Sequence, residues 1–418
     1  MSYNTMPGKE EIAVLRALAE EYMAIATLPI QQEKVDLWKS LNRMSGQRPM
    51  VVIDQFPWNE LEGANDKACV VKDPWWRAFE LNLRQTIYKW KICPVDMVVE
   101  PFLTIPLSAE CTRFGLHHDE ESMALDEDTT ARSQHYSRTL KTMDDLEKIK
   151  DMKVTHDEAL SARHMEEARE IFEGTAPLKQ GHGIQFHLGI WDDLSRFIGM
   201  EDVYLEIMDN PDFLHACMNR LTESAIAGIR EANALQVHND IANTCHCSYI
   251  YTDELLPGFG EGKGPVSSNS WAFGMAQLFT SVSPVTTQEF ETPYISRMAQ
   301  EFGMIYYGCC EREDDRLEIV KQIPNVKKIS CSPWSDRKNF AQQIGPGHIM
   351  SNKPSPAFLA TESVNWQEVE DDLKQTRDLA KANNVNLEFI LKDVSTVKYD
   401  PSRLTKWADI AMRVAQEW

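Results

Sequence analysis

The chain has 418 residues, with 43 Lys+Arg against 64 Asp+Glu and a formal net charge of -21. That acidity argues against nucleic-acid binding, which needs a basic face to displace counterions, and against docking on an anionic membrane surface. No apolar run is long enough to span a bilayer, no basic-then-apolar leader opens the chain, and the nine cysteines are too sparse for a disulfide scaffold, so a reduced, cytoplasmic setting is expected.

Residues 8–44 read as two helical segments, with Ile12, Leu15, Leu18, Tyr22 and Ile25 on one face and Leu37 and Leu41 on the next. This leading layer, residues 1–47, is expected to cover one end of a domain formed by residues 48–418. Residues 48–54 read as a buried strand running into the loop Gln55-Phe-Pro-Trp-Asn-Glu60. A helix over 75–91 and a second strand over 95–100 follow. Residues 105–140 are polar and mixed, and read as an insertion after that strand, with the run His118-Asp-Glu-Glu121 a solvated surface. Thr142 and Asp145 have capping-box spacing, and 156–173 is an amphipathic helix. A third strand is expected over 178–187. Asn210-Pro211 then opens a helix as cap and first residue, and a fourth strand and its loop span 237–247.

The Gly/Pro/Ser-rich stretch 256–270 reads as loop. Strands are expected at 303–308, 326–331, 348–351 and 385–391, separated by helices at 314–322 and after Asn365, with a last helix after Asp400-Pro401. Eight short apolar runs, most separated by helical patterns, point to an α/β chain folded as a (β/α)8 TIM barrel, with an open doubly wound sheet as the alternative. No G-x-G-x-x-G follows a strand and no Walker lysine motif is present, so nucleotide binding has no support.

In a parallel barrel the reacting groups sit at the C-terminal ends of the strands. His246, Cys247, Cys309, Cys310, Glu311 and Cys331 fall there, as do Asp54 and Asp393. Thiolate and imidazole donors from separate strands suit zinc better than magnesium or calcium, so Cys309, Cys310, His246, Cys247 and Cys331 are the candidate ligands. A free cysteine is more often a small buried hydrophobe, the reading given to Cys93, Cys111 and Cys217. The aromatic residues Phe56, Trp58, Trp334 and Phe358, in or near the strand-end loops, are candidates to hold an apolar ring.

The order of elements, with Arg48-Pro-Met-Val-Val-Ile53, Thr142-Met-Asp-Asp-Leu-Glu147, Ser283-Pro284, Pro293-Tyr294 and the strand end Tyr307-Gly-Cys-Cys310, resembles the uroporphyrinogen decarboxylase superfamily over most of the chain. The decarboxylases carry an arginine-rich stretch after the first strand. Here Asp54-Gln-Phe-Pro-Trp-Asn-Glu60 stands in that place, which disfavours a many-carboxylate porphyrinogen.

The chain looks closest to the branch of zinc-dependent, corrinoid-linked methyltransferases. Their His-x-Cys-Gly strand end matches Tyr307, Gly308, Cys309 and Cys310, with the cysteine kept and the histidine replaced. Their late cysteine is replaced by the Lys392-Asp393 stretch. The resemblance implies zinc as Lewis acid, a cobalamin carried by a partner corrinoid protein, and a small methylated substrate, with a methoxylated aromatic favoured and a thiol acceptor as the alternative. Glu311 or Asp393 would handle the proton. A metal-independent decarboxylase or lyase using Asp54, Tyr307 and His246 is the competing enzyme reading. A binding subunit with an inert site is the non-enzymatic one. The sequence leaves a homodimer open.

Overall fold

The computed structural model describes residues 6–116, 120–124, 132–181, 183–239, 243–255 and 266–418. Much of the acidic run at 118–121 lies outside the described residues. At the centre is a parallel sheet of six strands: β1 (Met50–Ile53), β2 (Trp271–Gly274), β3 (Met304–Tyr307), β4 (Val326–Cys331), β5 (Ile349–Asn352) and β6 (Asn386–Leu391), ordered β1-β6-β5-β4-β3-β2. All the residues of these strands but Lys327 and Asn386 are buried, because both faces of the sheet are covered by packed side chains.

Strand alternation sorts the residues into two cores. Met50, Val52, Trp271, Phe273, Met304, Tyr306, Ile349 and Ile390 pack together on the inner face. Val51, Ile53, Ala272, Ile305, Tyr307, Ile329, Cys331, Phe389 and Leu391 pack outward with the helices. Helix α1 (Lys9–Ala26) is followed by α2 (Ile30–Asn42), whose Trp38 enters the inner core and donates its indole N–H to the carbonyl of Asp96 at 2.9 Å. Helix α2 thus packs on the inner core through Trp38 and Leu41. Helix α3 (Pro74–Ile92) begins as its composition dictates: Asp73 accepts from the amides of Trp75 and Trp76, and Pro74 fills the first position.

Five of the six strands coincide with predicted runs. The sixth, β2, was hidden at the end of a stretch read as loop. Three predicted strands do not form as such. Residues 95–100 are fenced by Pro94 and Pro101, and the Asp96 carboxylate, paired with Arg48 at 2.6 Å, accepts from the Val51 amide at 2.8 Å in place of a ladder carbonyl. The 178–187 run divides: Leu178–Gly181 pairs with Leu103–Pro106 in a separate two-stranded sheet, and only His187 bridges to Phe273. The 237–247 run contributes one bridge, His238 to Ile184, and a two-residue strand, Thr244–Cys245. The fold is therefore mixed α/β around a six-stranded parallel sheet, and paired strands among the described residues do not close a ring of eight.

Two helix expectations are also corrected. Asn210 makes no side-chain cap, although Pro211 does start the helix that follows. The 314–322 helix shrinks to Leu317–Val320, and the guanidinium of Arg316 beside its start donates to the carbonyls of Phe279 and Val282 and to Thr287 Oγ1.

A buried ion pair crosses the inner face. Lys328 Nζ lies 2.8 Å from Glu388 Oε2, both side chains fully buried, with Ser248 Oγ bonded to each and the ammonium over the rings of Trp38 and Trp271. Breaking such a pair from one side strands the other charge. Lys328→Met is expected to cost ~3–5 kcal/mol in urea unfolding, and Lys328→Met with Glu388→Leu to recover most of that loss.

Candidate functional site

The site forms where β2, β3, β5 and β6 end. Tyr307 closes β3, and Gly308 turns the chain at φ 91°, with its Cα so close to β4 that a Cβ would lie 2.9 Å from Ser330 Cβ. Glycine is needed there, and the turn delivers Cys309 to the inner side of the sheet. The Cys309 carbonyl accepts from Ser330 Oγ at 2.7 Å, and its amide donates to Glu311 Oε2 at 2.8 Å. The backbone of this thiol is fixed from two sides.

Around Cys309 Sγ stand a second thiol, an ammonium and an imidazole. Cys310 Sγ is 3.6 Å away and Lys392 Nζ, from the end of β6, is 3.1 Å away. The same Nζ reaches His246 Nε2 at 3.4 Å and Asp393 Oδ2 at 3.3 Å. His246 is held flat on Phe273, with ring centroids 3.9 Å apart and planes parallel within 1°. The hydrogen bond from Cys310, that with His246 and the Lys392 charge together hold the Cys309 thiol well below the usual thiol range despite burial. Cys310 is pushed the other way by the neighbouring sulfur and by burial. Burial works against the Lys392 ammonium, but Cys309, Cys247 and Asp393 raise its pKa above the ordinary lysine value.

Sites predicted from sequence divide by strand face. Cys309, Cys310, His246 and Asp393 come together. Cys247 is on the same inner side, 3.5 Å from the Tyr306 hydroxyl, with its pKa pushed up to about 12 by burial. Cys331 is not with them. It packs outward, its sulfur accepting from the Asn352 side-chain amide at 3.8 Å, and burial pushes its thiol up to about 12. Tyr307, at the position of the family's histidine, also points outward, its hydroxyl donating to Glu291 Oε1 at 3.2 Å. It cannot take the histidine's place, and Tyr306 is the inward-facing neighbour. Glu311 is a buried backbone clamp, accepting from the amides of Cys309 and Ala276, and burial raises its pKa.

Zinc takes three or four thiolate, imidazole or carboxylate donors at 2.0–2.3 Å around one point. Among the described residues no group of three His, Cys, Asp or Glu is arranged to hold a metal ion. The three donors nearest to such a set, Cys309, His246 and Asp393, instead converge on the Lys392 ammonium. The donor types are ones that zinc takes, but with the Lys392 ammonium among them they do not form a zinc site.

Asp54, at the end of β1, lines a cavity of about 560 Å³ with Lys89, Asn82, Asn243 and Cys247, between the flat side chains of Tyr22, Trp75, Phe79 and Tyr249. Burial raises the Asp54 pKa, against the opposing charges of Lys89, His246 and Lys392, so the cavity and the thiol cluster share one electrostatic environment. Burial also lowers the Lys89 pKa. None of the four aromatic residues expected to hold a ring lines this cavity. Phe56 and Trp58 stack on each other at 5.0 Å behind Lys89, Phe358 packs against the outer core, and Trp334 stands 74% exposed on the turn after β4.

The sequence reading missed Lys392, Lys353, Tyr306, Phe273 and Lys89. The rule that strand ends carry the chemistry applies to Lys392 and Lys353 as much as to Asp393, and would have found both. Tyr306 and Phe273 needed the strand face, and Lys89 lies on a helix.

No family model matches the chain, and no curated protein does. Among solved structures, a methyltransferase from Methanosarcina mazei is similar at 11% identity and a TM-score of 0.47, covering 90% of this chain and 98% of that one. At that score the likeness bears on neither activity nor ligands.

Near Glu311 lie two buried carboxyls, Glu291 and Glu313, and the half-buried Asp192, all with raised pKa values. Burial and the Glu311 charge bring Asp192 from 3.8 to about 7. A raised carboxyl favours the fold while protonated, so its contribution is whole below about pH 4 and is lost as pH rises through 7. Asp192→Asn is therefore expected to melt at least ~2 °C above the parent at pH 8, with the gain vanishing at pH 4, in thermal scans at both values.

Proposed function

We propose that this chain is a methyltransferase that takes the methyl group of a small methylated compound, a methoxylated aromatic in the favoured form, and passes it to the corrinoid of a partner protein. The reading is supported by the resemblance at residues 48–53, 142–147 and 307–310, and by a cavity of a size that suits one small ring. The observation that carries it is the cavity wall itself, where the Lys89 ammonium, bonded to the Asp54 carbonyl, faces the flat side chains of Tyr22, Trp75, Phe79 and Tyr249.

The residues divide the work as follows. Trp75, Phe79, Tyr22 and Tyr249 hold the ring. Cleaving the methyl–oxygen bond leaves the electron pair on oxygen, and a fixed cation beside that atom stabilises the developing charge. Lys89 is the ammonium on the cavity wall, and its lowered pKa makes it a ready proton donor to the leaving oxygen. Asp54, whose backbone carbonyl accepts from Lys89 Nζ at 3.0 Å, keeps that ammonium in position. The corrinoid supplies the nucleophile that takes the methyl carbon. Zinc has no part in this scheme, because its donors are not assembled.

A second reading, a metal-independent lyase or decarboxylase, is favoured by one observation: Asp54, on the cavity wall, has a raised pKa and lies within the field of His246. Tyr307 drops out of that reading because it faces away.

The test is methyl transfer from a methoxylated benzoate to reduced cobalamin, followed by the change in corrinoid absorbance. Lys89→Met is expected to lower the rate roughly 100-fold. Cys217→Ser, on the helix side of the core, should stay within about twofold of the parent. No transfer by the parent chain, together with CO2 release from a carboxylated analogue, would favour the lyase instead.

A further inference from the structure

We infer that Lys392 is a resident cation standing where the zinc-dependent branch holds its metal, so that the strand-end cluster of this chain is closed to divalent ions. Three contacts of one nitrogen carry the inference. Lys392 Nζ lies 3.1 Å from Cys309 Sγ, 3.4 Å from His246 Nε2 and 3.3 Å from Asp393 Oδ2, a sulfur, a nitrogen and an oxygen of the kinds that zinc selects. An ammonium has three N–H donors, and this one has a partner for each. The side chain is 4% exposed, so it is not a surface lysine resting on the cluster by chance.

The surroundings favour one positive charge there and disfavour two more. A second ammonium, Lys353, is buried at the end of β5, 3.0 Å from the Tyr306 hydroxyl and over its ring at 5.2 Å. Among the described residues it has no carboxylate within salt-bridge reach. Asp393, whose carboxylate lies 3.3 Å from Lys392 Nζ, is half exposed. A divalent ion on Cys309 and His246 would lie within a few ångströms of the Lys392 ammonium, and the repulsion between the two charges would have to expel it from two of its three contacts.

The inference stands apart from the methyl-transfer reading, because metal content is measured without reference to activity. The chain is incubated with zinc chloride, gel-filtered and assayed for zinc by mass spectrometry, alongside Lys392→Ala and the double variant Lys392→Ala with Cys309→Ser. The parent is expected to retain less than about 0.1 equivalent. Lys392→Ala, which frees the three donors, should retain about one, and the double variant should lose it again. The inference is overturned if the parent retains one equivalent that disappears in Cys309→Ser. It is equally overturned if Lys392→Ala, folded by circular dichroism, retains no more zinc than the parent. Should Lys392→Ala not fold, the comparison of the parent with Cys309→Ser still decides.

Discussion

A buried ammonium needs an anion, and a buried thiolate needs a cation; at the ends of β3 and β6 each supplies the other's need. The 3.1 Å contact between Lys392 Nζ and Cys309 Sγ joins two strands that are not neighbours in the sheet. Much of the local architecture serves it. Gly308 turns Cys309 inward, Glu311 and Ser330 clamp its backbone, and Phe273 holds His246 flat beside it. Without Lys392 the Cys309 thiol would take up a proton, and without Cys309 the ammonium would keep only His246 and the half-exposed Asp393.

Strand parity decides who belongs to the site. Along β3, Met304 and Tyr306 face inward while Ile305 and Tyr307 face the helices. Along β4, Ser330 meets the Cys309 carbonyl while Cys331 is turned away. A one-residue step in a strand exchanges the two faces. That is why Tyr307 and Cys331, which looked like site residues by position, have become core residues, whereas Tyr306 and Ser330 have become site residues.

Much of the fold was legible in the sequence because helices and buried strands leave strong local patterns. The amphipathic helices and the apolar runs of β1, β3, β4, β5 and β6 could be read directly. The missing parts depend on partners distant in the chain. Residues 95–100 gave their ladder place to the Asp96 carboxylate, which pairs with Arg48 and accepts from the Val51 amide. Strand β2 is only four residues long and follows a glycine-rich stretch. Of the site, Cys309, Cys310, His246 and Asp393 were legible as strand-end chemistry. Lys392 was visible only as the residue standing where a cysteine was expected, and its meaning required the distances. The cavity walls were not legible, because they come from α1, α3 and the 243–249 turn, far from the loops whose aromatic residues drew attention.

Anomalous diffraction at the zinc edge, from crystals grown in zinc, tests the central claim most directly. The account predicts no anomalous peak between Cys309 Sγ and His246 Nε2, with Lys392 Nζ in contact with both. A full-occupancy peak there, with Lys392 swung out of the cluster, would contradict it.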